Sequence, residues 1–182
     1  LELILPGVHN VSNAIAAAAA ACCLGLSFED ITQGLSTFEG INRRFDVHIN
    51  SKNLVYVDDY AHHPKEVSST INAAKQLFPD REITVIFQPH LFSRTKDFAQ
   101  DFAESLSLAN QLILLDIYPA REFPIEGVNA KMLLNLCTNP RKETCSKEEL
   151  LKVLAQEKLD VLLTLGAGDI DTLVEPIKHL LN

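Results

Sequence analysis

Groups able to bind anions, move protons or hold hydroxyls crowd into a few short stretches of the 182-residue chain. One reads Asp58-Asp59-Tyr60-Ala61-His62-His63-Pro64, a second Gln88-Pro89-His90 followed by Ser93-Arg94-Thr95, and a third Asp116-Ile117-Tyr118-Pro119-Ala120-Arg121-Glu122. A fourth, Gly166-Ala167-Gly168-Asp169, has the glycines of a tight turn. Carboxylates accept from sugar hydroxyls, neutral imidazoles relay protons, and a guanidinium grips a carboxylate or phosphate in a planar fork. Each stretch also has a plainer use. Asp58 and Asp59 suit the cap of the helix that Pro64 opens. Adjacent histidines on extended backbone point to opposite sides, so at most one of His62 and His63 serves a given site. Arg94 reads as a helix-surface charge or as an anion contact beside free backbone N–H groups. Arg121 reads as a solvent partner of Glu122.

The stretches share a place in the expected fold, because each comes after a short apolar run. Leu54–Val57, Ile83–Phe87, Leu112–Ile117 and Val161–Leu165 read as strands, and amphipathic helical patterns stand between them. Phe45–Ile49 and Leu54–Val57 form a hairpin candidate across Asn50–Asn53. One helix starts at Pro64 with Val67, Ile71, Ala74, Leu77 and Phe78 on one face. Another carries Phe98, Ala99, Phe102, Leu106 and Ala109. Lys131–Leu136 and Lys147–Leu154 are helical, and Ile170, Leu173, Val174, Ile177 and Leu181 mark a closing helix. Apolar strands alternating with helices imply an α/β fold, a Rossmann-like and mostly parallel sheet with helices on both faces. Ligands of such sheets bind beyond the carboxyl ends of the strands, where the polar stretches fall.

Residues 1–40 behave differently. They give a helix over 10–25, rich in alanine and stopped by Gly25, then a short one from Ser27 to about Leu35, with no strand. They are expected to be the end of a preceding domain, with residues 41–182 forming the Rossmann-like domain. A first residue that is not Met fits an excised piece.

Composition narrows the function classes. Hydrophobic residues make up 47% and charged ones 22%, which is globular. A net charge of −8 provides no basic face for nucleic acid. Apolar runs stay near 10 residues, about half of a membrane span, and no secretory signal is visible. Cys22, Cys23, Cys137 and Cys145 lack zinc spacing. Cys22 and Cys23 are expected to be buried small residues, and a reduced, cytoplasmic setting fits. No G-x-x-x-x-G-K-[S/T] occurs, so ATP phosphates cannot be held here in the P-loop manner.

Four motifs in order carry a resemblance. Gly7-Val8-His9-Asn10-Val11-Ser12-Asn13-Ala14-Ile15-Ala16-Ala17, then Arg43-Arg44-Phe45 with the Asp58–Pro64 run, then Gln88–Thr95, then Asp116–Glu122, are similar to the signatures of the Mur ligases, which build the peptide stem of bacterial peptidoglycan. The resemblance implies three domains in the whole enzyme, of which this chain holds the end of the central ATPase domain and the C-terminal domain. It also implies a reaction: the carboxylate of UDP-N-acetylmuramate is activated by ATP as an acyl phosphate, and the amine of L-alanine attacks it. By resemblance Asn10 and Asn13 contact adenine, Asp59 the ribose hydroxyls, and Arg44, or its neighbour Arg43, the γ-phosphate. Tyr60, His62, His90 and Arg94 surround the incoming alanine and the acyl phosphate, with Arg94 on the alanine carboxylate. Arg44, His62 and His90 are the catalytic set so implied. Magnesium is implied too, with ligands outside this chain, and no metal ligand is assigned within it. Leu91 departs from relatives that carry arginine directly after Gln-Pro-His. A murein-tripeptide recycling ligase, a non-catalytic nucleotide-binding module and a metal-dependent hydrolase built on Asp59, His62 and His90 remain the competing readings.

Overall fold

The computed structural model describes residue 3, residues 7–38 and residues 40–182; the side chains of Val8 and His9, within the first motif, lie outside the described residues. Two helices open the chain, α1 (Val8–Cys23) and α2 (Phe28–Ser36). Ser27 starts α2 by accepting a hydrogen bond from the Asp30 N–H, as its type and position imply. The two helices pack chiefly on each other, and most of the Ala16–Ala20 run stays exposed. Cys22 and Cys23 are exposed as well, contrary to the expectation of burial. Alanine content set that expectation, but helix propensity says nothing about what covers a helix.

From residue 46 onward the chain builds one six-stranded sheet. Its strands are β1 (Asp46–Asn50), β2 (Val55–Asp59), β3 (Ile83–Phe87), β4 (Gln111–Leu114), β5 (Arg141–Thr144) and β6 (Val161–Leu165), in the spatial order β1-β2-β6-β3-β4-β5. Only the β1–β2 hairpin is antiparallel. The helices α3 (Pro64–Leu77), α4 (Phe92–Asp97), α5 (Ala99–Leu106), α6 (Ala130–Leu136), α7 (Lys147–Leu154) and α8 (Val174–Leu181) complete the domain, with a 3-10 turn over Asp169–Leu173 before α8.

Alternation along the buried strands sorts the core into two layers. Val55, Val57, Val85, Phe87, Leu112, Leu114, Leu163 and Leu165 face α3, α5 and α6. Tyr56, Ile86, Ile113 and Leu162 face α7 and α8, against Leu150, Leu154, Val174 and Ile177. Both faces are covered, so the central strands have no solvent side on which to place polar residues.

The sequence expectation missed β5 and α4. β5 is an edge strand of exposed polar residues, without the apolar alternation that marks a strand. Its Arg141 pairs with Glu82, and its Lys142 caps the carbonyls of Leu134 and Cys137 at the end of α6. The expected strand Leu112–Ile117 stops pairing at Leu114, although Leu115 and Ile117 remain buried. The closing helix is split, its first turn being 3-10.

Phe102 of α5 tests this packing. It is almost fully buried and its ring lies 5.4 Å from that of Phe87. Phe102→Ala is expected to lower unfolding stability by about 3–5 kcal/mol, read by chemical denaturation of the chain; a loss below about 1 kcal/mol contradicts the layer arrangement.

Candidate functional site

The parallel register brings Asp59, Leu165 and Phe87 into line at the carboxyl ends of β2, β6 and β3. The loops leaving these tips therefore meet on one edge of the sheet. A row of rings runs along that edge: Tyr60 to His62 at 5.3 Å, His62 to His90 at 6.2 Å, and His90 to Tyr118 at 5.6 Å, the last pair stacked. Residues from the ends of β2, β3 and β4 are thus within a few ångströms of one another.

His90 and Arg94 form a corner at one end of this row. One Arg94 NH group donates to His90 Nδ1 at 3.4 Å. That nitrogen is therefore the acceptor, and a neutral ring then carries its proton on Nε2. Burial, followed by the positive charge of Arg94 and then by His62, holds the His90 pKa below the ordinary histidine value. Arg94 stands on α4, whose start is fastened by Glu122: the carboxylate accepts from both the N–H and the hydroxyl of Ser93. Glu122 is thus taken by α4 rather than by Arg121. Those two bonds to Ser93 lower its pKa.

His62 lies between the two halves of the site. Its Nδ1 is 3.0 Å from the Tyr60 carbonyl, which only accepts, so Nδ1 carries a proton there. His63 turns the other way and packs edge-on to Phe98 at 5.0 Å, so one histidine of the pair faces the site, as alternation implied.

Beyond Tyr60 the row opens into a cleft between α1–α2 and α3, with a volume of about 790 Å³. Asn10 and Asn13 reach it from α1, Arg44 and Asp59 from the opposite wall, and Lys65, Glu66, Ser69 and Thr70 from α3. Ala14, Ala17, Leu35, Phe38 and Ile41 give it apolar walls. Asp59 is only 5% exposed. Its two carboxylate oxygens accept from the N–H groups of Phe45 and Ala61, both at 2.8 Å. Burial is the largest influence and raises its pKa, against those two bonds and Arg44. The N-cap of α3 is His63 rather than Asp58 or Asp59, and Glu66 completes a capping box by accepting from the N–H groups of His62 and His63. Burial works against ionisation of Glu66, yet the His62 N–H, the His62 ring, the His63 N–H and Arg44 outweigh it and hold the carboxyl below its usual range.

The two candidate arginines separate cleanly. Arg43 is 20% exposed and is spent on Asp58, Asp171 and the Gly166 carbonyl. Arg44 is 51% exposed, lines the cleft, and has only Glu66 Oε1 at 3.8 Å as an ion partner among the described residues.

Sequence reasoning passed over Glu66, Lys65, Ser69 and Thr70, and gave no role to Tyr118 or Gln88. Glu66 had a signal, since a glutamate two residues after a helix-opening proline is a capping position. Gln88 had none. It is buried and ties the edge together, its amide donating to Asp169 and its carbonyl accepting from the Ile170 N–H. The Gly166–Gly168 turn passes so close that a Cβ on Gly166 would lie 2.9 Å from the Gln88 carbonyl oxygen. One on Gly168 would meet the Gln88 side chain and come within 2.7 Å of Tyr118. No group of three or more metal-ligating side chains is present among the described residues. Burial pushes the thiols of Cys137 and Cys145 up to about 11, so neither is a nucleophile near neutrality.

An open, mostly parallel α/β sheet with its polar groups gathered at the strand ends belongs to the doubly wound class that binds ligands along that edge, and comparison with known proteins gives the family. The family model described as Mur ligase, glutamate ligase domain, matches residues 43–168. The chain is 51% identical to the UDP-N-acetylmuramate–L-alanine ligase of Parabacteroides distasonis over 100% of its own length and 39% of that protein's. It is 49% identical to the ligase of the same name from Cytophaga hutchinsonii, over 99% of the chain and 39% of the relative. Among solved structures, the UDP-N-acetylmuramate–alanine ligase of Thermotoga maritima superposes with a TM-score of 0.81 at 31% identity, covering 98% of this chain and 39% of that one. A murein peptide ligase from Psychrobacter arcticus shares the fold, with a TM-score of 0.70 at 23% identity, covering 100% of this chain and 38% of that one. The chain belongs to the Mur ligase family and spans about two fifths of the length of the curated relatives it matches.

Two measurements check the geometry. Arg94→Gln removes a positive charge beside the imidazole, so the His90 pKa is expected to rise, read by NMR titration of the ring; an unchanged or lower value contradicts the contact. Gly168→Ala is expected to destabilise the chain by about 1–3 kcal/mol and to shift the His90 ring resonances through Tyr118.

Proposed function

We propose that this chain is the C-terminal part of an ATP-dependent ligase that joins L-alanine to UDP-N-acetylmuramate in peptidoglycan synthesis, working in the cytoplasm. In this reading residues 1–40 are the end of the central ATP-binding domain and residues 41–182 the C-terminal domain. The observation that carries it is the pairing of two subsites on one edge, a nucleoside-sized cleft and a small cationic corner, joined through Tyr60 and His62. The names of the relatives, which the chain resembles along its whole length, support the same reading.

The cleft suits adenosine. Asn10 and Asn13 sit one helical turn apart and each amide both donates and accepts, as an adenine edge requires. The aliphatic walls cover the base. Asp59 keeps lone pairs beyond the two occupied by backbone N–H groups, enough to accept from a ribose hydroxyl. Arg44 leaves the same wall with a permanent charge and a planar fork, suited to a phosphoryl group held against the cleft by the rest of the protein. Magnesium, which the family resemblance implies, would be held by residues of the ATP-binding domain that lie outside this chain.

The other end of the row suits an α-amino acid. Arg94 offers the fork for the alanine carboxylate, and burial and the Arg94 charge favour the neutral form of His90 beside it. Once ATP has activated the muramate carboxylate as an acyl phosphate, the alanine amine attacks the carbonyl carbon. The C–N bond forms, the C–O bond to phosphate breaks, and the amine loses a proton. Most of the barrier reduction then comes from holding the two reactants in line and neutralising the phosphoryl charge.

The test uses the full-length protein. ADP release is expected to require UDP-N-acetylmuramate and L-alanine together; turnover with a tripeptide and none with alanine would establish the recycling activity instead. Arg94→Ala is expected to raise the KM for alanine by about 10–100-fold while leaving the KM for ATP within about 3-fold. Equal KM values for alanine in variant and wild type remove Arg94 from the alanine site. The 182-residue chain alone is expected to make no amide.

A further inference from the structure

We propose that Arg43 is a positioning residue that aims Arg44 into the cleft; this rests on the reading of Arg44 as the phosphate-facing arginine. The segment that leads from α2 into β1 holds two non-glycine residues in the left-handed region, Arg43 at φ 62° and Phe45 at φ 49°. Such backbone persists only where neighbours over-determine it. Here they do. The Phe45 ring is buried, and its N–H donates to Asp59 at 2.8 Å. The Arg43 N–H donates to Asp46, and its carbonyl accepts from the Tyr60 N–H at 2.7 Å.

The Arg43 side chain supplies the rest of the anchor. Nε donates to Asp58 at 3.1 Å, one terminal nitrogen donates to the Gly166 carbonyl at 2.6 Å, and the other is 3.4 Å from Asp171. Asp58 is fully buried and accepts from the Thr164 hydroxyl, which in turn meets Tyr56 OH. The guanidinium is therefore bolted to β2, to the end of β6 and to the turn beyond it. With Arg43 and Phe45 both turned into the protein, the residue between them faces outward. Arg44 has one long ion contact, to Glu66 at 3.8 Å, and lies 5.7 Å over Tyr60. Its direction is therefore set by the backbone on either side. Lysine at position 43 keeps the charge but has one nitrogen for three separated acceptors, so it cannot hold the segment.

Steady-state kinetics on the full-length protein test this with Arg43→Lys, Arg44→Ala and the double variant, each first checked for a cooperative melt. Arg43→Lys is expected to lower kcat by about 10–100-fold with the KM for alanine within about 3-fold of wild type. In the double variant it is expected to add no more than about 2-fold to the loss from Arg44→Ala. Wild-type kcat in Arg43→Lys, or losses that multiply, overturn the proposal. Arg43→Gly separates conformation from anchoring: glycine accepts φ 62° without strain, so near wild-type turnover in that variant also overturns it. Amide exchange in the 182-residue chain gives a readout independent of the reaction. Arg43→Lys is expected to speed exchange at Tyr60 at least about 10-fold while the β3 and β6 amides stay protected; unchanged protection at Tyr60 overturns the positioning role. Absence of alanine-dependent turnover in the wild type counts against the proposed function, and the exchange result then decides the role of Arg43 separately.

Discussion

The parallel pairing of β2, β6 and β3 is the constraint on which the rest depends. Both faces of these strands are covered, so a polar group within them must find a partner inside the protein or sit at an end. The chemistry is confined to the carboxyl edge for that reason. Register then does the rest, because strands that begin level and run five residues finish level. Asp59, the Gly166 turn and Gln88 arrive together without any one of them specifying the others.

The exceptions inside the strands show the cost of departing from this rule. Asp58 and Thr164 are fully buried polar residues on neighbouring strands, in register with each other. They bond together, and Tyr56 and Arg43 extend the chain at either end. Burial still pushes the Asp58 pKa up against Thr164 and Arg43, and it pushes the Tyr56 hydroxyl up as well. A hydrophobic trio in these places would bury more easily. What the polar chain supplies instead is direction: it fastens an irregular segment, with its left-handed residues, to one spot on the sheet. Glycine packing on the far side has the same effect, since Gly166 and Gly168 allow the turn to close over Gln88 and hold Tyr118 against His90.

Sequence pattern revealed the parts of this fold that bury apolar surface. The spans Ile83–Phe87, Val161–Leu165 and Lys147–Leu154 agree with the structure residue for residue, because a short apolar run between polar ends, or a serine before an amphipathic turn, admits few alternatives. β5 was illegible because an edge strand forms through backbone pairing and carries charges that discourage further pairing. The solvation of α1 was illegible because a row of alanines fits a buried helix and an exposed one equally. In the site, residue type and position after a strand marked the loops that carry His62, His63, His90 and Arg94, and the family resemblance chose His62 over His63; the structure brings His62, His90 and Arg94 together on one edge. The division of labour between Arg43 and Arg44 was beyond sequence. It arises from backbone φ values and from partners far along the chain, as in the pair Arg43–Asp171.

The cleft explains why these devices sit where they do. Its two walls come from elements that touch each other little: α1 and α2 on one side, β2 and α3 on the other. A ligand held by both walls depends on how the connecting segment is shaped. That segment carries Arg44 itself, lined up with Asp59 through the Phe45 N–H and with Tyr60 through the Arg43 carbonyl. The carboxylate that faces the cleft, the aromatic ring that begins the row of rings and the exposed arginine are therefore three consequences of one backbone arrangement. In the proposed reading, a nucleotide at one end and an amino acid at the other are both positioned relative to the same short stretch of chain.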